Sequence, residues 1–201
     1  MNGLLLSFDD HFIKPWFAWR RWFEQHKVFA TFFLSNLHEL TNDHWEMLKA
    51  MESDGHEIGL HTTNHTRAGV PRGGQEWRAF FQEEILNGLS LMEEKGLRCP
   101  NHFSYPWGNH STLSDGVLCQ HFKSLRIGGR GIYEKLPQIW GALNFGKAAK
   151  EPFCGHEPLV LTARERIVCF FMHLPIEHRL EFLAAQAQKH HIPFLRLGEL
   201  I

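Results

Sequence analysis

The sequence predicts an α/β fold: parallel strands alternating with helices, rolled into a compact barrel, with an open doubly wound sheet as the alternative. Strand-like and helix-like segments alternate along the chain, which implies a parallel sheet covered by helices. About six or seven such units fit in 201 residues, enough for one sizeable core, so residues 1–201 read as a single domain. The chemistry-bearing side chains also fall at predicted strand ends, where α/β barrels gather their sites.

The elements follow in order. Residues 4–8 form the first strand, and residues 17–26 a helix with Pro15 near its start. Residues 29–34 (Phe-Ala-Thr-Phe-Phe-Leu) read as a strand buried on both faces. Thr41 or Asn42 caps a helix that runs to Ser53 and closes at Gly55. Residues 57–60 are strand, and residues 75–95 a long helix closed by Gly96. Residues 102–105 form a short strand before Pro106. Ser111 or Thr112 caps a helix to Phe122, and residues 125–127 are strand. Residues 128–162 look irregular, with Gly128-Gly129-Arg130-Gly131 marking a loop. Residues 166–172 form a buried strand ending at His173, residues 176–190 a helix, and residues 194–197 a last strand.

Composition narrows the function classes. Apolar content of 43% and charged content of 21% fit a soluble globular protein. A net charge of −1, without a basic tract, gives no electrostatic case for nucleic acid. No apolar stretch is long enough to span a membrane. Cys99, Cys119, Cys154 and Cys169 show no C-x-x-C pairing, which argues against a cysteine zinc site or a disulfide scaffold and fits a reducing compartment. Met1-Asn2-Gly3 leads straight into the first strand with no signal peptide, so the expected location is cytoplasmic. No G-x-G-x-x-G follows a strand, so a dinucleotide site is not indicated.

Two motifs carry the chemistry. Ser7-Phe8-Asp9-Asp10 puts adjacent carboxylates at a strand end, where Asp is otherwise depleted. Successive strand side chains point to opposite faces, so one Asp can reach a metal and its neighbour a substrate or water. Read alone, the pair leans toward a helix cap or a turn, which Asp also favours. His61-Thr62-Thr63-Asn64-His65 places two histidines four apart, a spacing that on a helical turn aims both imidazoles at one cation. Neutral imidazoles with a carboxylate suit zinc or a similar divalent ion, with a position left for water. In a chain with 15 His a chance pair is easy to find, so the weight rests on both motifs together.

Taken in order, these residues resemble the polysaccharide deacetylase family, the NodB-homology domain of carbohydrate esterase family 4. Ser7-Phe8-Asp9-Asp10 resembles its first motif, T-F-D-D-G, with His11 in place of the Gly. Lys27-Val28-Phe29-Ala30-Thr31-Phe32-Phe33 resembles the strand that follows. The segment from Gly55 to His65 matches the second motif, Phe103-Ser104-Tyr105-Pro106-Trp107-Gly108 the third, and Phe170-Phe171-Met172-His173 the fifth.

The resemblance implies a distorted (β/α)7-type barrel and hydrolysis of an N-acetyl group on a sugar or glycan intermediate. It implies Asp9 as general base, His173 as general acid, and the backbone N–H of Trp107 as oxyanion donor. Asp10, His61 and His65 would bind one divalent ion, zinc first, with cobalt, nickel or manganese as alternatives. Tyr105, Pro106, Trp107 and Trp140 are the implied substrate contacts. Two departures stand out. Ser104 occupies the place of the arginine that orients the catalytic Asp, leaving Arg98, Arg126 and Arg130 as candidates to replace it. Residues 126–131 lack the Asp and Trp of the fourth motif; Asp115, the nearest carboxylate, belongs to a helix's first turn. The competing readings are a degenerate carbohydrate- or metal-binding domain, and a deformylase or amidase on the same scaffold.

Overall fold

In a computed structural model, seven parallel strands hydrogen-bond side by side and close on themselves. The structure describes residues 2–70, 73–129, 131–145 and 163–201. β1 (Gly3–Asp10), β2 (Ala30–Leu34), β3 (Glu57–Leu60), β4 (His102–Ser104) and β5 (Ser124–Gly128) pair in chain order. The short β6 (Ile132–Tyr133) steps out of that order, and β7 (Ile139–Asn144) takes the place beside β5. β8 (Ile167–Met172) pairs with β7 on one edge and with β1 on the other, which closes the ring. The seams are thin in places: β3 meets β4 at Leu60 opposite Phe103, and β7 meets β8 only near their ends. β6 covers the first half of β8 in antiparallel fashion, with Ile132 opposite Val168.

Helices pack outside: α1 (Ile13–Ala18), α2 (Arg20–Gln25), α3 (Asn42–Ser53), α4 (Gly74–Phe81), α5 (Asn87–Glu94), α6 (Thr112–Leu118) and α7 (Glu177–His190). α3 begins where the Thr41 hydroxyl accepts from the His44 N–H at 3.4 Å. Past its end, Gly55 takes φ +93°, a backbone conformation that glycine adopts without strain. Among the described residues no helix is long and apolar enough to cross a membrane.

Period-two alternation sorts the strands' side chains. On β1, Leu4, Leu6 and Phe8 face the helices and join Trp16, Phe23 and Phe32 in the outer core. Leu5 turns inward, to Phe33, Trp140, Ala142, Ile167 and Cys169. The barrel floor is polar and satisfied. Thr31 donates to Glu57 at 3.3 Å, and the His102 ring and the Ser124 hydroxyl lie 3.0 Å apart. The N–H groups of Leu197 and Gly198, in a C-terminal 3-10 turn, donate to the Glu57 carboxylate at 3.0 and 2.8 Å.

Four expected elements come out differently. The helix expected over residues 17–26 starts at Ile13 and breaks at Trp19 into two short helices. The long helix over residues 75–95 carries a π turn (Gln82–Leu86) in its middle. The seventh barrel strand is β7, inside the stretch expected to be irregular. Gly141 at its centre and its short pairing with β8 weaken its signal. The strand expected at residues 194–197 is a single bridge from Phe194 to Leu4. It fills a gap, because β2 pairs with β1 only from Leu6 onward. Below that point Leu4 donates to Pro193 and accepts from Leu195.

His56 gives the fold a pH dependence. Its ring is 3% exposed, lies edge-on to Phe23 and Phe32, and accepts the Ala30 N–H through Nδ1 at 3.2 Å. Burial pushes its pKa down from 6.5 to about 4. The folded chain therefore resists a proton that the unfolded chain takes up. The stability is complete above pH 6.5 and is lost as pH falls toward about 4. The difference is worth about 3 kcal/mol at roughly 1.4 kcal/mol per unit. Urea unfolding of the metal-free protein across that range should show the loss, and a His56→Gln chain should show a shallower one. Equal slopes in the two chains would remove His56 as the source.

Candidate active site

β1 supplies both carboxylates, from adjacent positions at its C-terminal end. Asp9 points into the barrel and is 3% exposed. Arg126, on β5, donates through Nη2 to Asp9 Oδ2 and also to the Ser104 hydroxyl. Ser104 and Arg126 are register partners on neighbouring strands. The guanidinium is 2% exposed and lies over the rings of Phe171 and Phe33, at 4.5 and 5.4 Å from their centroids. The arginine expected at position 104 thus reaches Asp9 from the next strand, and the small serine accepts its second hydrogen bond. Arg98 instead pairs with Glu52, and Arg130 lies outside the described residues.

Asp10 leaves the alternation. Its φ of 85° turns the carboxylate across the C-terminal mouth of the barrel. Oδ1 lies 3.3 Å from His65 Nε2 and 3.8 Å from His61 Nε2, while Oδ2 lies 3.8 Å from His173 Nε2. The two oxygens therefore face opposite walls.

His61 shows what the first wall is built to hold. Its Nδ1 lies 2.8 Å from the Ser104 carbonyl oxygen. A carbonyl only accepts, so Nδ1 carries the proton and Nε2 of the neutral ring carries the lone pair. Burial pushes the imidazole pKa down to about 4; Asp9 opposes that push and Arg126 adds to it. A lone pair thus faces Asp10 Oδ1, itself buried with no hydrogen-bond donor among the described residues. Facing acceptors away from water are costly unless a cation joins them. Ligand atoms of Asp10, His61 and His65 all lie within 4.8 Å of one another, and their donor set fits a divalent ion.

The two histidines do not share a helical face. Thr62 and His65 both take φ 57°, so a tight left-handed turn brings the second imidazole beside the first. Asp10 and Trp107, at φ 85° and 61°, are also left-handed. Such conformations are uncommon outside glycine and cluster at functional sites.

The remaining candidates divide. His173 follows β8; its carbonyl accepts the Trp16 indole N–H at 2.7 Å, and its side chain is 40% exposed. Among the described residues Asp10 is the sole carboxylate within 4 Å of its imidazole. Trp107 stands on the rim at 68% exposure, its ring 5.0 Å from that of His65 and 5.5 Å from the Arg67 guanidinium. Tyr105 and Pro106 are buried beneath it, and the Tyr105 hydroxyl donates to Asp115 at 2.7 Å. Asp115 lies in the first turn of α6, as expected. Trp140, expected at a substrate pocket, is 2% exposed inside the barrel, in register with Arg126. In Ser124-Leu125-Arg126-Ile127 polar and apolar residues alternate, which sets Arg126 on the face opposite Leu125; the pairing with Ser104 shows that face to be the inner one.

The Asp9–Arg126 pair should show strong coupling. Arg126→Met leaves a buried carboxylate unpaired and should cost about 3–5 kcal/mol in urea unfolding. Adding Asp9→Asn should recover part of that loss. Strictly additive effects of the two substitutions would show that the contact carries no coupling.

Comparisons with known proteins bear on the fold and the lineage. A family model described as polysaccharide deacetylase matches residues 2–121. No curated protein matches the sequence. A family 4 carbohydrate esterase from Streptomyces lividans, in complex with acetate, shares the fold with a TM-score of 0.66 at 13% identity, over 95% of this chain and 90% of that one. The polysaccharide deacetylase Bc1974 from Bacillus cereus gives 0.65 at 17%, over 98% and 92%. BA3943 from Bacillus anthracis, a CE4 family pseudoenzyme, gives 0.67 at 13%, over 99% of this chain and 65% of that one. At these identities the solved structures establish the barrel, and the family model, which spans more than half of the sequence, establishes the lineage: the chain belongs to the polysaccharide deacetylase family.

Proposed function

We propose that this chain is a metal-dependent hydrolase that removes an N-acetyl group from a sugar or glycan. The observation that carries this reading is Asp10, with two imidazoles facing one carboxylate oxygen and a third facing the other, beside a second carboxylate held on an arginine.

Asp10, His61 and His65 would hold the ion. Zinc suits the set best, and cobalt, nickel or manganese accept the same donors. A bound divalent ion polarises a carbonyl and makes water a better nucleophile at neutral pH. The chain's own groups do the rest. Asp9 Oδ1, the oxygen not engaged by Arg126, takes the proton of the attacking water. Arg126 fixes the direction in which that carboxylate points. The Trp107 N–H meets the charge that develops on the carbonyl oxygen. His173 Nε2, across Asp10 from the other imidazoles, gives its proton to the departing nitrogen as the C–N bond breaks. Acetate and a free amine leave. The exposed Trp107 ring offers a face on which a sugar can stack.

A second reading, a binding domain without turnover, is favoured by the absence of a further carboxylate near His173 among the described residues. One assay separates the two. Zinc-, cobalt- or nickel-loaded protein should release acetate from at least one member of a panel of N-acetylated sugars and short glycans. Formate from N-formyl analogues would redirect the reading to a deformylase. Release from neither, with the ion bound, would establish the binding domain. Asp9→Asn should lose about a hundredfold or more in rate while keeping about one ion per chain. His61→Ala should lose the ion. An unchanged rate in the first variant removes Asp9 as base, and retained metal in the second places the ion elsewhere.

A further inference from the structure

The segment that carries His65 is held from behind by one residue. Glu84 sits in the π turn between α4 and α5 and is 6% exposed. Its carboxylate accepts the Asn64 N–H at 2.8 Å on Oε2, and the Asn64 amide at 3.1 Å and the Thr66 hydroxyl at 2.7 Å on Oε1. Its main-chain carbonyl accepts the Thr63 N–H at 2.9 Å and the Thr63 hydroxyl at 3.1 Å. His65 is therefore flanked on both sides by residues tied to Glu84. Among the described residues no Lys or Arg forms an ion pair with this carboxylate. Its buried charge is met by neutral donors from residues 64 and 66.

The surroundings leave the segment little freedom. A Cβ on Gly88 would come within 2.5 Å of the Thr63 hydroxyl and 3.2 Å of Leu60, so the helix approaches as closely as glycine allows. The Thr66 N–H donates to the Thr62 hydroxyl at 2.8 Å, which closes the turn on itself. Leu37 donates to the Thr63 carbonyl at 3.0 Å from the other side. A π turn is a rare interruption of a helix, and here it presents both the side chain and the carbonyl of one residue to the same segment.

We propose that Glu84 is a positioning residue. Its carboxylate holds residues 62–66 in the left-handed turn that sets His65 Nε2 against Asp10, and so fixes both the affinity of the site for a divalent ion and the geometry around it. The inference rests on the Asp10, His61 and His65 metal site proposed above. Partners that orient metal ligands commonly change affinity about 10–100-fold when removed.

Cobalt(II) is the probe, because its visible absorption reports coordination geometry and titration against a competing chelator reports affinity. Wild-type protein should bind about one cobalt per chain; failure of that titration sinks the metal site itself. Given wild-type binding, Glu84→Gln should weaken affinity about 10–100-fold and alter the cobalt spectrum, since one of the two accepting oxygens becomes a donor that must face either the Asn64 N–H or the Asn64 amide and Thr66 hydroxyl. Should Glu84→Gln fail to fold, the loop side of the same bridge tests the idea. Asn64 is exposed, so Asn64→Ala removes only its amide contact, and Thr66→Val removes the hydroxyl that Thr66→Ser retains. Weaker binding in Asn64→Ala and Thr66→Val, with wild-type affinity in Thr66→Ser, supports the proposal. Leu183→Ala in α7 destabilises the fold away from the loop and should leave cobalt affinity unchanged. Wild-type affinity and spectrum in the folded Glu84 and loop variants overturn the proposal. An equal loss of affinity in Leu183→Ala does so too, because general destabilisation would then account for the effect.

Discussion

A carboxylate and a guanidinium buried together inside a barrel set the terms for the rest of this molecule. Asp9 and Arg126 stand on β1 and β5, and each is almost completely shielded from water. Burying such a pair adds little net stability, whereas removing one partner leaves an uncompensated charge in a poorly polarisable interior. The pair therefore works mainly as a constraint. Ser104 must be small and able to accept, Phe33 and Phe171 must present their ring faces, and β4 must stay in register with β5. Those conditions also leave Asp9 Oδ1 without a partner, beside the mouth where Asp10 and the histidines meet.

The interior is layered along the barrel axis. The floor is a hydrogen-bonded set of Thr31, Glu57, His102 and Ser124, sealed by the N–H groups of Leu197 and Gly198. The middle is largely apolar, with Phe33, Trp140, Ala142 and Cys169. The mouth carries Asp10 with His61, His65 and His173, beside the buried Asp9–Arg126 pair. Packing of this kind leaves a filled barrel and confines chemistry to the C-terminal ends of the strands. Asp10, Thr62, His65 and Trp107, all at positive φ, lie at that end, whereas Lys27 and His191 take the same conformation where they close helices.

Much of this was legible in the sequence because it depends on residue type and order. The Asp9-Asp10 pair after an apolar run, the His61 and His65 spacing and His173 at a strand end all converge on one mouth. What was not legible depends on conformation or on register. The turn at residues 61–65 needs positive φ at Thr62 and His65, and a β-branched threonine strongly disfavours it. The arginine that holds Asp9 sits two positions past Ser124 on β5, and only strand pairing shows that it lies beside Ser104. β7 was hidden because it combines a central glycine with short pairing. Residues 194–197 imitated a strand because they serve as the end of one, capping β1 where β2 stops. Trp140 read as a pocket wall, but period-two alternation turns it inward.

The closure of β1 on β8 also has a bearing on how the chain becomes a barrel. The Ser7 hydroxyl donates to the carbonyl of Phe170, 163 positions away, and Gly3 stands opposite Ile167. During synthesis β1 and β2 can pair early, but the other edge of β1 has no partner until β8 has been made. Contacts between such distant segments form slowly, because a long loop must be ordered before they reward it. An unpaired apolar edge is meanwhile a template for strands of other chains. A nascent chain of this design is thus most open to misassembly just before its last strand arrives, and its yield in a cell depends on how long that edge waits.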